Sequence, residues 1–293
     1  MLLTLSSWSS FVSDAAPQKI GSYEVKPISQ SIGRVSMLLW GPSGAGKTTL
    51  ASTFPGPILW ILYDPDGQAS ISNAPDIYVM DMTGEPPSHV TKWNDVDPMR
   101  ISKFIAENGI KTVVFDSLTT FQDLCLRYGV ENASMTKQHR SATLEDPGFG
   151  GYGRKKRWLM SCVANLMQIT KRLDVNMCFI SHEDSPAKDN DGNVLYITMI
   201  LGSDLPQTLA IQFSEIWYLR DDSKGNKLIS VQAHGLYRPM KTRMFQLPKE
   251  NGKPVKWFAW DYDPFAREGE TVAEWIDMWR EGGYTRVMLP TGG

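Results

Sequence analysis

Apolar residues along this chain fall into short continuous runs, closed by turn residues and separated by longer stretches of helical spacing. Residues 35–40 form one such run and end at Gly41-Pro42. Residues 58–63, 77–82, 111–115 and 175–181 form others. Runs of this length between turn signals read as strands buried on both faces. Residues 47–54 have room for two helical turns before Pro55-Gly56-Pro57 stops them. Asp97-Pro98 reads as an N-cap followed by an N1 proline. Ile101, Phe104 and Ile105 give that helix an apolar face, and Asn108-Gly109 ends it. Leu118, Phe121, Cys125 and Tyr128 repeat at helical spacing. Residues 154–173 carry the stripe Leu159, Cys162, Val163, Leu166, Ile169 and Leu173.

Strand and helix therefore alternate through the first two thirds of the chain. That order predicts an α/β fold with a mainly parallel central sheet flanked by helices. The pattern then changes. Asp189-Asn190-Asp191-Gly192-Asn193 reads as a hairpin turn before a strand at 194–201. Strands at 214–219 and 228–233 flank a second turn at 221–226. These hairpins predict antiparallel strands at one edge. Residues 1–30 are Ser-rich and aperiodic, as an N-terminal arm would be. The core is expected over 31–260, and a tail at 261–293 holds one short amphipathic helix near 271–280.

Composition adds exclusions. Of 293 residues, 42% are hydrophobic and 21% charged, which excludes wholesale disorder. The net charge of -2 excludes a uniformly basic protein, so a nucleic-acid partner would have to meet a local patch. Cys125, Cys162 and Cys178 show no C-x-x-C spacing, and the four histidines show no metal-binding spacing. A reducing cytoplasm fits. No run approaches the length of a membrane span.

Gly41-Pro42-Ser43-Gly44-Ala45-Gly46-Lys47-Thr48 matches G-x-x-x-x-G-K-[ST] in full, between a predicted strand and a predicted helix. Glycines let backbone N–H groups curl around a phosphate, and the helix turns its positive dipole end toward the same anion. Lys47 is placed to reach the β- and γ-phosphates, and the Thr48 hydroxyl to ligate Mg²⁺. Thr49 completes the expected nucleotide-binding set, with ATP and Mg²⁺ as the cofactors. Residues 112–116 are apolar and β-branched, then end in Asp116, which suits delivery of a carboxylate to the metal. The cap of the next helix is the plainer alternative for Asp116, and the phosphate loop upstream favours the metal role. Asp64-Pro65-Asp66 leaves the second strand, where a carboxylate can polarise the attacking water. His182 follows the strand at 175–181, whose end faces the crevice where a ligand of an open α/β sheet binds.

In motif and order, residues from about 33 to 245 resemble a RecA-like ATPase, in particular the phage nucleotide-binding proteins of the single-strand annealing and recombination group. The resemblance implies that Asp66 is the catalytic carboxylate, standing where the family has Glu. It implies a Walker B strand ending at Asp116-Ser117, with Thr48 and Asp116 on the metal. It implies a first DNA loop at Gly148, Gly150, Gly151 and Gly153, a second within 183–203, and a polar sensor at His182. Lys241-Thr242-Arg243 matches the place of a Lys-x-Arg pair that reaches the γ-phosphate of a neighbouring subunit. A homo-oligomer with ATP at its interfaces follows from that match.

Arg154-Lys155-Lys156-Arg157 is the densest charge run in the chain, expected in the first turn of a helix, where the dipole disfavours cations. With Tyr152 and Phe149 beside it, the run suits single-stranded DNA: cations for phosphates, an aromatic ring for a base. A solvated basic face is the plainer alternative. The resulting expectation is a Mg²⁺-dependent ATPase acting on single-stranded DNA in phage recombination, annealing or replication. Two alternatives stand beside it: a nucleotide-gated assembly or loading module with a protein partner, and a P-loop kinase.

Overall fold

The structure is a computed structural model, and it describes residues 18–21, 23–25, 33–65, 67–72, 74, 76–94, 96–133, 143–202 and 204–288. Two compact units divide the chain, Met1–Gly33 and Arg34–Gly293. In the first, within the segment expected to be an aperiodic arm, β1 (Gln18–Ile20) and β2 (Tyr23–Val25) pair as an antiparallel hairpin.

The second unit is built on one eight-stranded sheet. Its strands are β3 (Ser36–Gly41), β4 (Ile58–Leu62), β5 (Ile77–Asp81), β6 (Thr112–Asp116), β7 (Asn176–His182), β10 (Glu215–Asp221), β11 (Lys227–Ser230) and a last strand, Phe258–Trp260. A small separate hairpin, β8 (Ala187–Lys188) with β9 (Val194–Tyr196), follows β7. Across the sheet the order is Phe258–Trp260, β11, β10, β3, β7, β6, β4, β5. The six strands from β10 to β5 run parallel. β11 is an antiparallel addition at one edge, as the hairpin pattern predicts, and Phe258–Trp260 adds a second antiparallel strand that the pattern does not announce; the strand expected at 194–201 is confined to β9, outside this sheet.

Continuous apolar runs appear because helices cover both faces of the parallel strands. Leu38, Trp40, Ile61, Phe115, Phe179 and Ile216 point to one face, in a core shared with Phe121, Leu159 and Leu166. The intervening residues, such as Trp217, face the other way, where Trp275 of a C-terminal helix meets Trp217 at 5.7 Å between ring centroids. β5 departs from this pattern. It is an edge strand with Tyr78 and Val79 exposed, not the buried strand its apolar sequence predicts.

The helices are α1 (Lys47–Ala51), α2 (Val96–Asn108), α3 (Leu118–Ala133), α4 (Gly148–Arg172), α5 (Leu205–Ala210) and α6 (Val272–Glu281). α2 starts one residue before the expected cap. Its Asp97 carboxylate is turned to the His89 ring, 2.9 Å from Nε2. Gly109, at φ 61, ends the helix as expected. α6 begins with a reciprocal capping box between Thr271 and Glu274.

Two expectations about α4 are corrected. The glycines at 148–153 are not a loop ahead of a helix; they are its first turns. Packing explains this: a Cβ on Gly129 of α3 would lie 3.0 Å from the Gly151 carbonyl, and one on Gly151 would lie 2.8 Å from Pro147. The small residues let the two helices approach closely. The basic run therefore begins six residues into the helix, past the first turn in which the dipole disfavours cations.

α4 also fixes where that run stands. Its 25 residues span about 37 Å, against about 23 Å for a seven-residue strand. Its carboxyl end feeds the start of β7, so its amino end overruns the sheet at the carboxyl ends of the parallel strands. The Lys155 ammonium marks that level, donating to the Leu201 carbonyl, whose neighbour Ile200 bonds the His182 carbonyl at the end of β7.

Candidate functional site: the phosphate loop and its cleft

β3 occupies the middle of the sheet, between β10 and β7. Gly41 ends it in register with His182, while Leu62 of β4 pairs with Asp116 of β6. These strands thus present Gly41, His182, Asp116 and the chain beyond Leu62 at one end of the sheet. The chain can turn away from β3 only through glycine. Gly41 has φ 152, and a Cβ there would stand 2.0 Å from the Leu219 carbonyl oxygen of the neighbouring strand. Gly46, at φ 87, makes the second turn, directly before α1.

The turns enclose a cleft of about 240 Å³. Ser43, Gly44, Gly46, Lys47, Thr48 and Thr49 form one wall; Asp64, Asp116 and His182 face them. Pro42 and Ala45 close the loop behind, with the Ala45 N–H 3.4 Å from the Pro42 carbonyl. The Lys47 ammonium donates to the carbonyls of Gly41 (3.0 Å) and Pro42 (2.6 Å). Burial pulls its pKa down to about 8, against the opposing pull of Asp116 and Asp64. An anion entering the cleft meets an ammonium already stripped of most of its water.

The Thr48 hydroxyl donates to Asp116 Oδ2 at 3.3 Å. Asp116 is buried, and its pKa is pushed up to about 7, first by loss of solvent and next by the charge of Asp64. A hydroxyl and a carboxylate on neighbouring elements, with a second carboxylate near, are hard oxygen donors that a cation would relieve of mutual repulsion. This donor set fits Mg²⁺, which takes one or two protein ligands and keeps several waters. The Asp116–Ser117 peptide is cis.

His182 joins the loop to the opposite wall. Its Nδ1 lies 3.5 Å from Lys47 Nζ, and its Nε2 lies 3.4 Å from Asp64 Oδ2. An ammonium only donates, so Nδ1 is the accepting nitrogen and Nε2–H faces the carboxylate. Burial, reinforced by Lys47, holds the ring pKa below its usual value and favours this neutral form. Asp64 is the carboxylate that the structure brings into the cleft. Asp66, to which the sequence reading assigns the catalytic role, lies outside the described residues.

The remaining site candidates stand apart from the cleft. Lys241 forms an antiparallel bridge with Ile216, and its ammonium donates to the Ala210 carbonyl at 2.5 Å. The Arg243 backbone N–H donates to Glu215 at 2.7 Å. Glu215 pairs with Met37, about 13 Å down β3 from Gly41, so Lys241 and Arg243 belong to the opposite end of the sheet. In the basic run, Lys155 is turned inward. It is 8% exposed and donates to Gln122 Oε1 and the Leu201 carbonyl, both at 3.3 Å. That removes it from the expected phosphate contacts. Arg154 donates to the Gly129 carbonyl, and Lys156 pairs with Asp204. Arg157 is exposed, as are Tyr152 and Phe149, the latter 99%.

One contributor has no sequence signal. Lys227 of β11 donates to the Gly44 carbonyl and to Asp221, each at 2.8 Å, steadying the outer side of the loop. Only the pairing of β10 with β3 brings it there. Among the described residues, no helix is long and apolar enough to cross a membrane.

No curated protein matches the sequence. The family model for the AAA domain matches residues 34–243, most of the chain and every strand and helix that builds the cleft. This chain therefore belongs to the AAA domain family of P-loop ATPases, a nucleotide-binding class.

Proposed function

We propose that the protein is a Mg²⁺-dependent ATPase of RecA-like type, acting on single-stranded DNA in phage recombination, annealing or replication. The observation that carries the hydrolytic part is the convergence of Lys47, Thr48, Asp116, Asp64 and His182 on one cleft. In this reading the loop amides and Lys47 bind the triphosphate. Thr48 and Asp116 would hold Mg²⁺, which would supply positive charge against the triphosphate. A carboxylate leaving β4 orients the attacking water; Asp66 keeps the role that the resemblance implies, with Asp64 beside His182 in the wall. Water attacks the γ-phosphorus as the bond from that phosphorus to the oxygen bridging the β- and γ-phosphates breaks; the water's proton passes to the orienting carboxylate and then to phosphate or solvent, and ADP and phosphate leave.

The DNA part rests on the overhang of α4. Arg154, Lys156 and Arg157, with Tyr152 and Phe149, lie toward the same end of the sheet as the cleft. A contiguous hydrogen-bonded path supports communication between them. The His182 carbonyl accepts from the Ile200 N–H, Gln122 donates to the Ile200 carbonyl, and Lys155 donates to Leu201 and Gln122. A γ-phosphate that draws Lys47 away from His182 acts on the first link. The distance of Lys241 and Arg243 from their own cleft supports the trans reading, in which they complete the site of a neighbouring copy.

The test is ATP hydrolysis with and without single-stranded DNA, alongside the mass in solution. Stimulated turnover by an oligomer is the expected result. Replacing Arg154, Lys156 and Arg157 together by Ala is expected to weaken DNA binding and to reduce the slope of log affinity against log salt by about 2, since each lost phosphate contact removes roughly 0.7. An unchanged slope would show that the patch is not the contact. The burial of Lys155 and the Lys156–Asp204 pair leave fewer free cations than the sequence suggests, which favours a second reading: a nucleotide-gated assembly or loading module with slow turnover. ATP binding with no response to DNA would select it.

A further inference from the structure

The cleft at Lys47 has room for phosphates and a cation, and the rest of a nucleotide must lie elsewhere. Directly beside it is a second cleft of about 310 Å³. Thr49 and Ser70 line both, so they form the wall between the two. Tyr262, Phe265 and Arg267 form the far side.

The direction of a bound triphosphate follows from the loop. Lys47 reaches the β- and γ-phosphates, while the backbone N–H groups cradle the α- and β-phosphates. Asp64 and His182 stand with Lys47 at the γ end. Thr49 is two residues past Lys47 along α1, so the α-phosphate, and the ribose that hangs from it, point toward the shared wall.

We propose that this second cleft receives the ribose and base of a purine nucleotide held in the phosphate loop, with Phe265 as the stacking ring. The inference rests on the nucleotide-binding reading and deepens it. Two observations carry it beyond the shared wall. The first is an aromatic path between the loop and the cleft. Trp260 lies against Gly46, with its ring 3.5 Å from where a Cβ would stand. Tyr262 stacks on Trp260 with an interplanar angle of 4° and 5.6 Å between centroids. The Trp260 indole is fixed in turn by its bond to the Glu270 carbonyl at 2.9 Å.

The second is Phe265 itself. It is 87% exposed, yet it sits on a constrained turn. Asp263 Oδ1 accepts from the backbone N–H of Phe265 (2.8 Å) and of Ala266 (3.2 Å), and the strands Tyr262–Asp263 and Glu268–Gly269 pair on either side. A ring held in water at the mouth of a cleft gains most from a flat partner. Purines offer the larger π-face, and Arg267 adds a cation on the same side. These three residues lie beyond the segment matched by the family model, so the family motif does not supply them.

The test uses the full chain and two ligands, ATP and inorganic tripolyphosphate, measured by calorimetry. Wild-type protein is expected to bind ATP more tightly than tripolyphosphate. Phe265→Ala is expected to weaken ATP about tenfold, the scale of one lost base–aromatic stack, with tripolyphosphate affinity unchanged. Phe265→Trp should restore ATP affinity, and Arg267→Ala should weaken ATP alone. Equal loss for both ligands, or no loss for either, overturns the proposal, as does equal affinity of the wild type for the two. Lys47→Ala separates the parent reading: it should weaken both ligands. If it weakens neither, the phosphate-loop reading fails and this inference falls with it.

Discussion

Replacing Lys47 by alanine is expected to cut ATP turnover by about 10²- to 10³-fold, the usual scale for removing one preorganised donor from a charged transition state. Affinity for the triphosphate should fall with it, because Lys47 lines the cleft and is buried there. Its burial and depressed pKa mean that the solvation cost is already met in the free protein. A phosphate arriving there exchanges two carbonyl partners, those of Gly41 and Pro42, for a charged one. Stability should change little by comparison. Alanine leaves those carbonyls without the ammonium but also removes a buried charge, and the two effects oppose each other. Thermal melting beside the ATPase assay separates these outcomes. Turnover within threefold of wild type, in a folded variant, would remove Lys47 from the site.

The second large effect is on the fold. Glu215→Ala is expected to cost about 3–5 kcal/mol of unfolding free energy, because each buried donor left unpaired costs roughly 1–3 kcal/mol. Glu215 is 1% exposed and accepts from the Trp217 indole at 2.9 Å and from the backbone N–H groups of Arg243 (2.7 Å) and Met244 (3.2 Å). Those bonds pin the segment that carries Lys241 and Arg243 to the start of β10. Burial raises the carboxyl pKa, so relief of that desolvation returns part of the loss. Glu215→Gln keeps an oxygen for the two backbone donors and should cost less than half as much. Denaturant unfolding of the three proteins reads both values. A Glu215→Ala variant within about 0.5 kcal/mol of wild type would mean that water replaces the carboxylate there, against its burial.

What could be read from the chain without its structure depended on distance along it. The phosphate loop is eight contiguous residues with a strand and a helix at its ends, and its chemistry is local. Asp116 was equally legible, at the end of a β-branched run. The start of α4 is not legible in the chain alone, because glycine costs about 1 kcal/mol per residue in an isolated helix. Here the contact of Gly129 with Gly151 outweighs that cost, and no local pattern announces it. The direction of Lys155 was hidden for the same reason: its acceptors, Gln122 and Leu201, are 33 and 46 residues away. Lys227 reaches the loop across 183 residues, through a strand order that periodicity alone does not fix.

The Phe258–Trp260 strand and α6 have a practical consequence for anyone who cuts this gene. The family match ends at residue 243, but the sheet does not. Trp275 packs on Trp217, Phe245 and Phe258, the Val272 N–H is bonded to the Thr53 hydroxyl, and Phe258–Trp260 covers the free side of β11. A truncation at the family boundary would bare an aromatic sheet face and open a β-edge that other chains can join. Such a fragment should go to inclusion bodies. Deletion mapping that scored it as inactive would be recording a solubility failure, and would not read the part that Phe265 and Arg267 play beside the phosphate loop.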